Sequence, residues 1–444
     1  MKHFFYKGNQ NIIANEHDFE KIKESIKKDL SKILDTRNLS FLIGSGCSLG
    51  PNGIPTMKEL ADNLFEPGDD LHANLKDKVF EQQHIDILDR FKINYKNEPF
   101  RTNLETFLGT LYSFRFYLEK LKEAKETAFD QDLEDLNLII ERTKDYILYE
   151  CLNEKNKGKD GNIVYVYQQF YRKLSLRDSN LQKPNVFTTN YDLFSERAMD
   201  NLGISYTNGF SGFVERFFNP SIFNYALAEQ MDISSLKWSV IDSFIYLFKI
   251  HGSVNWIEKE SNNKLFSIQE LQDVDYARLK TEANYMIYPS PLKQNASLGS
   301  PYADLFREFQ KRITQKQSTL VTMGFSFGDE HINNIIYQAL TIPSFRLVIF
   351  SDSGYHVDAK YQATRRNIEK LKDLNDPRIW IIGTDNEFDN STDWKMIRED
   401  EHKELHFFET IANDLFPDFT QDEIDEANKK LIELIRTTKE GEND

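Results

Sequence analysis

Two side chains in this sequence stand where they could do acid–base chemistry on a bound ligand. His251 ends the apolar run Tyr246–Ile250 and directly precedes Gly252, the only histidine of nine so placed. An imidazole takes up a proton near neutral pH, which is what activating a hydroxyl or a water requires. Asn190 follows the strand-like run Val186-Phe187-Thr188-Thr189. A carboxamide there both donates and accepts hydrogen bonds, so it can orient a hydroxyl or a water. Two residues on, Asp192 can accept from a ligand amide or cap the helix that follows.

Two glycine turns accompany them. Gly44-Ser45-Gly46-Cys47-Ser48 follows the apolar run Leu39–Ile43, so backbone donors could approach a pyrophosphate without a Cβ in the way. Its third glycine, Gly50, falls one position late for the G-x-G-x-x-G dinucleotide fingerprint. Met323-Gly324-Phe325-Ser326 closes a later apolar run in the same manner. Together the segments supply a phosphate-binding turn, an amide, a carboxylate and an imidazole, the parts needed to hold a nicotinamide dinucleotide and break it. A competing pattern overlaps the first turn: Gly46-Cys47-Ser48-Leu49-Gly50 fits G-x-S-x-G, with Ser48 as a nucleophile. That fold needs several strands ahead of the serine, and only one helix and one short strand precede it here.

The elements that would position these residues follow from periodicity. Phe19, Ile22, Ile26, Leu30 and Leu34 predict a helix over 17–35 with Asp18 as its cap. The buried run Leu39–Ile43 predicts a strand, and Thr56 precedes a helix carrying Met57, Leu60, Ala61 and Leu64. Strands are expected at Asn185–Thr188, Tyr246–Ile250, Met286–Tyr288, Leu320–Met323, Arg346–Phe350 and Ile379–Ile382, with helices near 329–340 and 360–372. Alternating short apolar strands and helices predict an α/β fold, a Rossmann-like parallel sheet with helices on both faces. Residues 66–183, rich in Lys and Glu and poor in glycine, read as a mostly helical inserted module, with a charged loop at 154–161. The expected division is 1–65 with 184–415 as the sheet domain, 66–183 as the insertion, and 416–444 as a C-terminal helix and polar tail. Ile424, Ala427, Leu431 and Ile435 form one stripe in that helix.

Composition narrows the function classes. A formal charge of −16 predicts no direct nucleic-acid binding. Two cysteines, Cys47 and Cys151, build neither a disulfide framework nor a structural zinc site, and no metal is expected. His72, His84, His356, His402 and His406 sit in polar stretches without metal-ligand spacing, and His331 reads as part of a helix start. No signal peptide or membrane-spanning run is evident, which predicts a cytoplasmic protein.

Taken together, the segments resemble the sirtuin superfamily, specifically the sirtuin-like domains of bacterial anti-phage defence proteins. Gly44-Ser45-Gly46-Cys47-Ser48 continues to Gly53-Ile54-Pro55 as the sirtuin glycine turn does. Thr189-Asn190-Tyr191-Asp192 is similar to the segment bearing that family's catalytic Asn and nicotinamide-side Asp. Phe248-Lys249-Ile250-His251-Gly252-Ser253-Val254-Asn255-Trp256 resembles the segment with its catalytic His. Met323-Gly324-Phe325-Ser326-Phe327 resembles its dinucleotide-contacting turn. Two departures stand out. Sirtuin deacylases follow Gly-Ile-Pro with Asp-Phe-Arg, where this chain has Thr56-Met57-Lys58, and they carry a four-cysteine zinc module that this chain lacks.

The resemblance therefore implies an NAD⁺ glycohydrolase rather than a peptide deacylase. Asn190 and His251 would be catalytic. Gly44, Ser45, Gly46, Cys47, Ser48, Thr189, Asp192, Gly252, Ser253, Gly324 and Ser326 would line the NAD⁺ site. It further implies depletion of NAD⁺ in defence. Because the tail beyond residue 400 is short for a sensor, a separately encoded partner is expected, a HerA-type ATPase or a short Argonaute, with homo-oligomerisation. Three alternatives remain: a zinc-free deacylase, a non-catalytic NAD⁺ or ADP-ribose-binding subunit of an ATPase complex, and a serine hydrolase acting through Ser48.

Overall fold

The computed structural model describes residues 2–50, 52–65, 82–101, 103–126, 128–152, 162–178, 180–232, 237–259, 267–272, 274–281, 300–352, 362–385 and 404–417. The expected strand Met286–Tyr288, the charged loop 154–161 and the helix of the C-terminal tail lie outside the described residues.

Runs of Val, Ile, Leu and Phe buried on both sides form strands that can only sit inside a two-sided sheet. The chain supplies β1 (Lys2–Lys7), β2 (Gln10–Asn11), β3 (Asn38–Ile43), β4 (Asn185–Thr188) and β5 (Ser205–Thr207). There follow β6 (Phe210–Ser211), β7 (Arg216–Phe218), β8 (Ala228–Asp232), β9 (Lys237–Val240) and β10 (Phe244–Lys249). The last are β11 (Trp256–Glu258), β12 (Ile268–Glu270), β13 (Ser318–Met323), β14 (Arg346–Phe350) and β15 (Ile379–Asp385). The main sheet has nine strands in the order β2-β1-β15-β14-β13-β3-β4-β10-β5. From β15 to β5 every pairing is parallel, and β1 adds antiparallel to β15. A four-stranded sheet, β11-β12-β7-β6, and the hairpin β8-β9 stand apart.

Side chains alternate between the two faces with the period of two that strands impose. Phe41, Ile43, Val186, Leu247, Val321 and Val348 face one core, beneath the helices Phe19–Leu34, Asn162–Ser175 and Phe194–Leu202. Leu42, Phe187, Phe248, Leu320, Leu347 and Ile349 face the other, beneath Tyr302–Ile313 and Glu330–Leu340. The fold is thus a Rossmann-like α/β sheet covered on both sides. Asp18 caps the first helix through bonds from the amides of Glu20 and Lys21, an interaction typically worth about 1 kcal/mol.

The helices Met57–Phe65, Gln82–Arg90, Leu104–Glu123 and Asp130–Leu152 share a third core. That core also takes in Tyr191 and Val254 from loops at the end of the sheet. Asn162–Ser175 behaves differently: its Ile163, Val166, Tyr167, Phe170 and Leu174 belong to the sheet's own core. His84, expected in a polar stretch, is fully buried on Gln82–Arg90. No helix among the described residues is long and apolar enough to cross a membrane.

Candidate active site

From β3 the chain builds outward in one direction to β4, β10 and β5. It then crosses back to lay β13, β14 and β15 on the other flank of β3. The reversal falls between β3 and β13, and ligands of open α/β sheets bind beyond the strand ends at such a point. All four predicted segments leave the sheet at that end.

Glycine is required there for close backbone contact. A Cβ on Gly44 would lie 2.3 Å from the Gly324 carbonyl oxygen, and one on Gly324 would lie 2.4 Å from the Cys47 amide. Gly324 also has φ +59°, in the left-handed region that favours glycine. The amides of Gly44, Gly46 and Cys47 donate to the carbonyls of Met323, Gly324 and Gly44 at 2.9, 2.9 and 3.0 Å. The two turns are therefore locked to each other, with exposed Ser45 and Ser326 as their outermost side chains. Cys47 points into the core, where burial and the nearby Asp192 charge push its thiol well up, so it stays protonated and inert.

Ser48 is buried and joins three elements. Its hydroxyl donates to Asp192 Oδ2 at 2.7 Å, accepts from Asn190 Nδ2 at 2.9 Å, and lies 3.1 Å from the Tyr167 hydroxyl. The second Asn190 amide proton goes to the Gly44 carbonyl at 3.0 Å. With both N–H groups used, Oδ1 is the remaining acceptor of Asn190. Asp192 Oδ1 accepts from the Phe194 amide, the first of the helix Phe194–Leu202, at 3.0 Å. The Thr189 amide donates to the Ile43 carbonyl at 3.1 Å, which fixes the loop to the end of β3.

His251 leaves β10 through a turn in which Gly252 has φ +98° and Ser253 is fully buried. Its Nε2 lies 3.1 Å from Asp329 Oδ2. Asp329 caps Glu330–Leu340, with Oδ1 accepting from the amides of His331 and Ile332 at 2.8 and 3.1 Å. Burial opposes its charge. The hydrogen bond from His251, the imidazole's charge and the two amides outweigh burial and hold the carboxyl at about 2. A carboxylate only accepts, so Nε2 carries a proton, and in the neutral imidazole the lone pair lies on Nδ1.

The turn Gly44–Ser48, Asn190 and Asp192 thus form one bonded cluster, and Gly324 packs directly on it. His251 and Asp329 form a second pair at the same end of the sheet. Sequence reasoning missed Asp329, whose cap position is legible but whose bond to His251 is not. It also missed Tyr167, which lies in the stretch read only as a mostly helical insertion. The capping box of Thr56 and Glu59 explains one departure from the deacylase pattern. The Thr56 amide donates to Glu59 Oε2 at 2.7 Å and the Glu59 amide to Thr56 Oγ1 at 3.1 Å, so Thr56-Met57-Lys58 begins a helix. The serine-nucleophile geometry is not formed: Ser48 sits in the short turn Ser45–Ser48 and bonds Asp192, Asn190 and Tyr167, while the histidine pairs with Asp329. Among the described residues no group of His, Cys, Asp or Glu is arranged to hold a metal ion.

A family model described as a SIR2-like domain matches residues 184–369. The matched span holds Asn190, Asp192, His251, Gly324 and Asp329, and it begins after the Gly44–Ser48 turn. No curated protein matches the chain.

Proposed function

We propose that the SIR2-like domain of this chain is an NAD⁺ glycohydrolase, cleaving the nicotinamide–ribose bond to give nicotinamide and ADP-ribose. The observation that carries the reading is the His251–Asp329 pair, which engages Nε2 and leaves Nδ1 as the other ring nitrogen at the same end of the sheet as Asn190 and the interlocked glycine turns. SIR2-like domains use NAD⁺, and the chemistry of these side chains fits it. Ser45 and Ser326 offer exposed donors to a pyrophosphate. Asn190 Oδ1 accepts from a ribose hydroxyl or from water. His251 Nδ1 takes the proton of the attacking water, and Asp329 stabilises the imidazolium that results. Cleavage passes through oxocarbenium-like charge, as glycosidic cleavage generally does. Asp192 holds the Asn190 loop through Ser48 and lies within the nicotinamide-side segment of the motif.

The biological setting rests on the resemblance to the defence branch. The reading is of a cytoplasmic, homo-oligomeric enzyme that depletes NAD⁺ during phage infection. A separately encoded partner, a HerA-type ATPase or a short Argonaute, would restrain or release it.

The test is chromatography of NAD⁺ incubated with purified protein, alone and with a candidate ATPase partner. His251→Ala and Asn190→Ala serve as controls. Nicotinamide release should fall by about 10²–10⁴-fold in His251→Ala, the usual worth of a positioned base, and at least comparably in Asn190→Ala. Near wild-type release by either variant would remove the proposal. Absence of release with tight NAD⁺ binding by calorimetry would favour a regulatory binding subunit. Release of O-acetyl-ADP-ribose from an acetylated peptide would favour a deacylase.

A further inference from the structure

Lys249 is the last residue of β10 and stands two positions before His251. Its side chain is 1% exposed, and an ammonium removed from water must be paired and hydrogen-bonded. Its partners all lie on the neighbouring segment. Nζ donates to the Asp192 carbonyl and, at 3.3 Å, to the Tyr191 carbonyl, and it pairs with Glu196 Oε1 at 3.0 Å. The Tyr191 carbonyl also accepts from the Val254 amide at 3.0 Å and from Ser253 Oγ at 3.4 Å.

The location of this grip matters because the sheet ends there. The β4–β10 ladder stops at the Thr188–Lys249 pair, followed by one bond from the Ile250 amide to the Thr188 carbonyl. Beyond it, Asn190 and His251 ride on separate loops with no strand pairing to hold them in step. Besides the bonds from Val254 and Ser253 to the Tyr191 carbonyl, a buried ammonium joins the two loops, reaching from the root of the His251 turn to the two carbonyls that follow Asn190. Tyr191 itself is anchored in the core of the helical module, so the loop has little slack in which to absorb a change. Burial raises the Glu196 carboxyl against the opposing pull of Lys249.

We infer that Lys249 is a positioning residue, resting on the NAD⁺-cleaving reading above: its ammonium fixes Asn190 relative to His251 through the Tyr191 and Asp192 carbonyls. Methionine has the length to fill the space but cannot donate to either carbonyl. Glu196→Gln, by contrast, keeps the ammonium and its grip on the loop while removing the ion pair.

The experiment compares wild type, Lys249→Met, Lys249→Met/Glu196→Gln and Glu196→Gln in NAD⁺ turnover, NAD⁺ affinity, thermal midpoint and amide exchange over 188–194. A misplacement near 1 Å can cost roughly 10²-fold in rate. The double variant, which leaves no unpaired charge, should keep a thermal midpoint near wild type, lose about 100-fold in kcat, and change KM by less than about threefold. Glu196→Gln should retain turnover within about threefold. Full kcat in the folded double variant would overturn the inference, as would equal losses in Glu196→Gln and Lys249→Met. If wild type releases no nicotinamide, the glycohydrolase reading fails on its own, and exchange then decides the positioning claim. Faster exchange at 188–194 in both variants carrying Lys249→Met, but not in Glu196→Gln, would uphold it, and unchanged protection would overturn it.

Discussion

A histidine that must accept a proton from water works best when its other nitrogen is committed. Here the commitment comes from Asp329, whose two oxygens divide their work, one on the helix amides and one on His251 Nε2. Asp329→Asn keeps the shape and an acceptor but removes the charge that fixes the tautomer and stabilises the imidazolium. It should lower nicotinamide release by at least about 100-fold while leaving the helix cap nearly as stable, because Asn caps a helix about as well as Asp; turnover and a denaturation curve measured on the same variant check both. His251, Asn190 and Asp192 were legible because each follows a short apolar run and precedes a turn. Asp329 was legible only as the cap of a helix, because a bond to a residue 78 positions away has no local signature.

At the scale of elements, the site depends on how closely two strand ends approach. Gly324→Ala would force a non-glycine residue to φ +59° and drive a Cβ to within 2.4 Å of the Cys47 amide. The expected loss is at least about 2 kcal/mol from strain and overpacking, read as a lower thermal midpoint, together with weaker NAD⁺ binding by calorimetry. The same glycine contacts show a use of the first turn that spacing did not reveal. Glycine there was expected to let a ligand approach, and in addition the space a Cβ would fill on Gly44 and Gly46 is occupied by the backbone at Gly324. Strand order supplied that contact, and strand order is not written in local periodicity. The helix Asn162–Ser175 teaches the same lesson. It was expected only as part of the mostly helical insertion 66–183, whereas its burial against β3 was set by the tertiary fold.

For the molecule as a whole, buried carboxylates set the response to pH. Glu270 on β12 pairs with Arg216 on β7 at 3.0 Å and bonds Asn208, tying the small sheet to the end of β5. Burial outweighs both partners and raises its carboxyl from 4.5 to about 7. The folded state therefore holds a proton that the unfolded chain releases, so stability is greatest below about 4.5 and declines as pH rises through about 7. Glu196 shifts in the same direction. Asp329 acts oppositely, but its contribution is lost only as pH falls from 3.8 toward about 2, below this window. Glu270→Gln should flatten the stability profile between pH 4.5 and 7 by on the order of 2 kcal/mol, measured by urea denaturation across that range. A further consequence follows from the pairing of β1 with β15, which joins Lys2–Lys7 to Trp380–Asp385. During synthesis β1 must wait until β15 has been made, a delay of tens of seconds at ordinary elongation rates of roughly 5–20 residues per second. His251 meets its carboxylate late as well, because Asp329 follows it by 78 residues. A nascent chain therefore cannot pair His251 with its carboxylate until the segment that carries Asp329 has also been made.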